Sequence, residues 1–292
     1  MTSDVPSSGF QYRGLYRTSR IPSCLVSTEN LRRLYGDLSG KTREALERHL
    51  ATLQRPADME VDRFEELKGE VLSNGTLAVT VYGANGEQIV SASVEALNDA
   101  NLPDTITSIE FDSATALRPY NVTPLNRFTL RLDFSEPPGF NSYNPWNQPT
   151  PNRSQIEVIG NDDTWVTAVF SSTLSFFRQR QRWRGWLHSH VAFNVLNWLV
   201  GFPGALWITY RLDSSRLGVM NAMHTALRGA LYVYVFLLGL LVFRGIVWGF
   251  RWIFPLVELD GARSKKVRGA LGVVLSSLLL ALLYDVLRAV LR

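Results

Sequence analysis

The chain of 292 residues holds one cysteine, Cys24. A single thiol makes no internal disulfide and excludes a four-thiolate zinc site, which fits a reducing compartment. Histidine is also scarce, with four residues. His188 and His190 form an H-x-H pair, yet no cysteine or carboxylate lies close by in the sequence to complete a metal site. The phosphate cradle G-x-x-x-x-G-K-[ST], the dinucleotide turn G-x-G-x-x-G, the zincin H-E-x-x-H and the nucleophile elbow G-x-S-x-G are all missing. These absences predict a non-enzymatic chain with no catalytic residues, no cofactor and no metal.

Acidic residues are nearly missing from one part of the chain. Residues 178–292 contain 15 Lys and Arg against 4 Asp and Glu, a net +11, whereas residues 1–177 contain 15 against 22, a net −7. The overall +4 therefore belongs to the C-terminal part alone. Affinity for nucleic acid comes mainly from neutralised phosphates, so an acidic N-terminal part argues against a nucleic-acid partner. The first residues, "MTSDVPSSGFQYRGLYRTSR", lack an apolar run, so no secretory leader is expected. Their polar composition predicts a mobile tail over residues 1–26.

Long apolar runs are abundant after residue 190. Three candidate membrane spans cover 191–210, 229–250 and 269–291, each near the ~20 residues a helix needs to cross a bilayer. They define an expected all-α membrane domain over 185–292. The first run carries Asn194, Asn197 and Pro203, the second Arg244 and the third Asp285. Intramembrane polar groups are functional candidates, although Arg244 is close enough to a helix end to snorkel. Gly201, Gly204, Gly245, Gly249, Gly269 and Gly272 would let helices approach closely.

Before the first run stands "RQRQRWRGW". On one continuous helix over 161–184, Arg178 and Arg182 share one face and Arg180 and Arg184 the roughly opposite one. With Trp183 and Trp186 at headgroup level, this reads as a collar at the cytoplasmic membrane surface, able to hold anionic lipid. The basic flanks place residues 27–184 in the cytoplasm. Three spans would put the C-terminus outside, a placement that Arg288 and Arg292 oppose.

Residues 27–184 read as an α+β domain. Ser27 or Thr28 caps a helix bearing Leu31, Leu34, Tyr35 and Leu38 on one face, with a break expected at Gly36 and Gly40. A period of two then marks strands at 76–82, 107–111, 127–134 and 154–160, and Asn85-Gly86 marks a hairpin whose return strand is "QIVSASVEAL", 88–97. The expected product is a mainly antiparallel sheet with helices over it. The long connection 135–154 carries Phe140, Tyr143 and Trp146, a candidate binding loop.

Together these features suggest a multi-pass inner- or plasma-membrane protein. Its cytoplasmic domain would bind an unidentified protein or small molecule and regulate a small helical bundle, a layout found in many bacterial sensor or effector proteins. The competing reading is a membrane effector that forms a homo-oligomeric pore or disrupts the bilayer.

Overall fold

The computed structural model describes residues 14–120, 122–137, 150–214 and 224–260, with 272–274, Ser277, Ala281, Tyr284 and Arg288 beyond them. In chain order the elements are β1 (Leu15–Arg20), β2 (Cys24–Val26), α1 (Thr28–Thr52), α2 (Val61–Asn74), β3 (Ala78–Gly83), β4 (Gln88–Ser91), β5 (Ile106–Asp112), β6 (Arg127–Asp133), β7 (Gln155–Gly160), α3 (Asp163–Arg178), α4 (His190–Leu196), α5 (Phe202–Ser214), α6 (Thr225–Ile253) and β8 (Val257–Leu259). The fold is α+β. The chain forms two compact units. The first comprises residues 1–21, 26–133 and 153–180, and the second comprises 22–25, 134–152 and 181–292.

The first unit is built on a fully antiparallel six-stranded sheet in the order β1-β7-β6-β5-β3-β4. Strict alternation sends Val79, Val81, Ile109, Phe111, Phe128, Leu130, Leu132, Ile156 and Val158 to one face, where each is at most 1 % exposed. The register sets Phe111 opposite Leu130, Ile109 opposite Leu132 and Leu130 opposite Ile156. A one-residue slip would turn that whole set outward, which is why the pairing is fixed. Helices α1 and α3 pack together, and α3 lies on β7 and β1. Trp165 Nε1 of α3 donates to Lys41 O of α1 at 3.0 Å, and Tyr35 Oη of α1 reaches Leu77 O at 3.1 Å and Ala92 O at 3.0 Å. A satellite core of Leu46, Leu50, Val71 and Leu117 joins α1, α2 and the turn after β5.

Several local expectations meet the structure directly. Ser27 Oγ accepts from Asn30 N at 3.1 Å, and Gly86 turns the β3–β4 hairpin at φ +80°. Others need correction. Residues 1–26 are not wholly a tail, because Leu15–Arg20 pairs along β7 as an edge strand. The pairing gives its polar residues backbone partners, and Arg17 forms an ion pair with Asp163 at 3.2 Å. Helix α1 runs unbroken through Gly36 and Gly40. Two interior glycines cost about 1 kcal/mol each, less than burying Leu31, Leu34, Tyr35, Leu38, Ala45, Leu46 and Leu50 on one stripe returns. The return strand of the hairpin is short, and its continuation Val94–Leu97 coils into a 3₁₀ turn capped by Ser93.

The largest departure lies at 161–184. Helix α3 stops at Arg178, so no single helix runs to residue 184. Backbone pairing ends it: Gln181 bridges Cys24, and Arg182 N donates to Ser23 O at 2.8 Å. Those bonds give the backbone after α3 its partners, and a separate 3₁₀ turn, Trp183–His188, follows.

In the second unit, two helices are long and apolar enough to cross a membrane, His190–Arg211 and Thr225–Ile253. The first is α4 and α5 joined by a π turn at Asn197–Gly201, where Phe202 N reaches back to Asn197 O. Pro203 has no N–H and its ring crowds the carbonyl four residues earlier, and the wider turn absorbs that defect. The two helices pack antiparallel. A Cβ on Gly201 would lie 2.8 Å from the Phe243 ring, and one on Gly239 would lie 3.1 Å from Cα and Cβ of Ala205. Gly245, expected to serve such a contact, would meet nothing within 4 Å among the described residues. Of the expected span 269–291, the described residues are helical, and Asp285 lies outside them.

Candidate functional site

The ends of this hairpin converge on a polar cluster. His188 ends the 3₁₀ turn and Ser189 caps α4, accepting from Ala192 N at 3.1 Å. Helix α6 closes at Ile253, with Phe254 N returning to Phe250 O at 3.0 Å. Between these termini His188 is 4 % exposed and Arg251 is 5 % exposed. His188 Nε2 lies 2.7 Å from Phe254 O and Nδ1 lies 2.8 Å from Thr150 Oγ1. A carbonyl only accepts, so Nε2 carries the proton and the neutral ring accepts the threonine hydroxyl at Nδ1. Burial lowers the His188 pKa first. The Phe254 carbonyl opposes that shift and the Arg251 charge adds to it.

Arg251 donates from Nε to Leu187 O at 2.9 Å, and its guanidinium lies 5.7 Å from the Phe193 ring. Trp252 Nε1 donates to Glu136 Oε2 at 3.0 Å. Glu136 and Thr150 are the described ends of the long connection between β6 and β7. Both ends of that loop are thus bonded to the hairpin base. The candidate binding aromatics Phe140, Tyr143 and Trp146 lie outside the described residues.

The six collar residues separate into two settings. In the first unit, Arg178 lines an open groove with Phe170, Leu174 and Gln179. Arg180 folds back over Phe176 at 3.8 Å, donates to Phe176 O at 2.8 Å, and reaches Asn30 Oδ1 at 3.3 Å. It is a C-terminal cap for α3. In the second unit, Trp183 and Trp186 stack at 6.4 Å and are both exposed, and Arg184 covers the Phe254 ring at 4.4 Å. Arg182 and Arg184 line a concavity of about 230 Å³ with Ser23, Cys24, Leu25, Pro255 and Glu258. Cys24 is buried there, in β2 rather than in a tail. Gly185 is closely packed: a Cβ there would come within 2.8 Å of Ser23 Cβ.

The remaining polar candidates stand apart. Asn194 is exposed on α4, Asn197 opens the π turn with Oδ1 against Gly201, and Arg244 is half-buried along α6. His190 is exposed, while both ring nitrogens of its neighbour His188 are engaged, so the pair does not converge on a metal. Arg251 lies one residue beyond the expected second span, 229–250, and was not among the candidate residues. The signal available was an Arg-Trp pair one turn before Pro255.

One further surface belongs to the sheet. Its face away from α3 carries Thr18, Glu157, Thr129, Arg131 and Glu110, half-exposed or exposed, while Thr80 and Ser108 on the same face are buried. Glu110 and Arg131 are register partners. Burial raises the Glu110 pKa first and Asp112 raises it further, against Arg131 and Arg118.

Comparison with protein-family models, with curated proteins and with solved structures finds no significant match to the chain.

Proposed function

We propose that the chain is a multi-pass integral membrane protein whose N-terminal α+β domain lies in the cytoplasm and regulates the helical hairpin by binding a protein or small ligand. The observation that carries this reading is the anchoring of the β6–β7 loop. Strands β6 and β7 lead into Glu136 and Thr150, which are held by Trp252 and His188 at the hairpin base. A ligand that shifts these strands would pull on two hydrogen bonds at the ends of the helices.

The polar sheet face with Glu110 and Arg131 is the recognition surface in this reading. The hairpin's outward residues, among them Val191, Trp198, Leu199, Leu206, Val233 and Leu237, are exposed and apolar, which suits a lipid environment. The test is a thermal-shift and pull-down screen of the full chain in nanodiscs. Reproducible ligands whose effect is lost in Glu110→Gln/Arg131→Gln are expected. No ligand, or hits that ignore the double variant, would sink the regulatory reading.

A second reading is an effector that acts on the bilayer by self-association. Asn194 favours it, because an amide exposed on an apolar helix gains from a hydrogen bond across a helix interface. Liposome dye release with in-membrane cross-linking separates the two. Release that rises with cross-linked oligomer and disappears in Asn194→Leu supports the effector.

A further inference from the structure

The concavity beside the hairpin base has an uneven charge pattern. Its lining brings Arg182 and Arg184 together with Glu258 of β8 and with Ser23. Neither arginine is in an ion pair with a carboxylate among the described residues. Two guanidinium forks suit a phosphate, since their planar donors match its oxygens. A carboxylate in the same small space repels a simple anion but accepts from an ammonium. None of the seven lining residues is aromatic, whereas quaternary ammonium recognition uses aromatic faces. A primary ammonium, which donates hydrogen bonds, fits better.

We propose that this concavity binds a phosphodiester lipid headgroup bearing a primary ammonium, of the ethanolamine type, with Arg182 and Arg184 on the phosphate and Glu258 on the ammonium. This rests on the membrane reading above. The stacked, exposed pair Trp183 and Trp186 on the same turn supports a lipid source over a soluble one, because indoles concentrate at the headgroup level. The charges pair off with one to spare: two cations and one anion meet a headgroup of one anion and one cation, leaving one guanidinium charge for neighbouring anionic lipid.

The experiment uses the full chain. Flotation with vesicles comes first, followed by native mass spectrometry from mixed nanodiscs. These contain phosphatidylethanolamine, phosphatidylcholine and phosphatidylglycerol in equal amounts, with free phosphoethanolamine as a competitor. The ethanolamine lipid should be retained about tenfold over the choline lipid, as one charge-assisted hydrogen bond allows. Glu258→Gln should erase that preference and favour phosphatidylglycerol, while Arg182→Gln/Arg184→Gln should lose all three lipids. Arg184→Lys keeps the charge and should keep weaker retention, which serves if the double variant does not fold. Equal retention of ethanolamine and choline lipids by a floating protein overturns the proposal and leaves the membrane reading standing. So does a preference unchanged in Glu258→Gln. Full displacement by free phosphoethanolamine at the lipid's own concentration overturns the lipid source. A chain that does not float overturns the membrane reading together with this one.

Discussion

His188 and Arg251 bring two ionisable side chains into one buried cluster, and only one of them titrates near neutrality. The folded pKa of His188 lies below its ordinary value because burial, then the nearby Arg251 charge, disfavours imidazolium. A base with a depressed folded pKa contributes stability that is complete above the unfolded pKa, about 6.5, and is lost as pH falls through that value toward the folded one. Melting of the full chain in detergent should therefore fall between about pH 7.5 and pH 5.5. His188→Gln should flatten part of that fall. His49 is shifted the same way by burial, so His49→Gln is the matched comparison. An unchanged pH profile in His188→Gln would refute the buried neutral tautomer. Gly185 yields a second residue-scale expectation. Gly185→Ala should cost about 1–3 kcal/mol by forcing Ser23 away, measured by the same melts.

Helix pairing in the second unit depends on where small residues fall. Gly239→Leu should wedge the helices apart at Ala205 and cost about 1–3 kcal/mol, whereas Gly245→Leu should be nearly neutral. If both variants melt alike, the antiparallel contact is misplaced. At this scale the sequence was informative where periodicity is strong. Four strands, the Asn-Gly hairpin, the Ser27 cap and both apolar helices were legible, because alternation and apolar length are local signals. The edge strand β1 was not, since Leu15–Arg20 is mostly polar and is held by β7 and Asp163 far along the chain. The end of α3 was hidden for the same reason. Nothing within "FRQRQRWRG" announces that Cys24 and Ser23 take its backbone groups. The polar cluster at the hairpin base was illegible too, because Thr150, His188, Arg251 and Phe254 come from three distant segments.

For the whole molecule, the two-helix hairpin sets a topology that labelling can read. In the membrane reading, residues before α4 and after α6 lie on one side and Thr225 on the other. With Cys24→Ser as background, Asp58→Cys and Thr225→Cys should be modified from opposite faces of sealed vesicles by an impermeant thiol reagent. Labelling of both from the same face would exclude a spanning hairpin. In the same reading the arginine collar would contribute unequally to that orientation. Arg180 and Arg184 are engaged with Phe176 and Phe254, so Arg178→Gln/Arg182→Gln should perturb orientation with less loss of stability than Arg180→Gln/Arg184→Gln. The chain also passes between its two units five times, at residues 21–22, 25–26, 133–134, 152–153 and 180–181. Such interleaving has a genetic consequence. A segment ending at Arg180 would carry residues 22–25 and 134–152 without Gln181, His188 or Trp252, so neither half is a cassette that recombination could move intact. A fusion at any single junction would therefore divide at least one of the units.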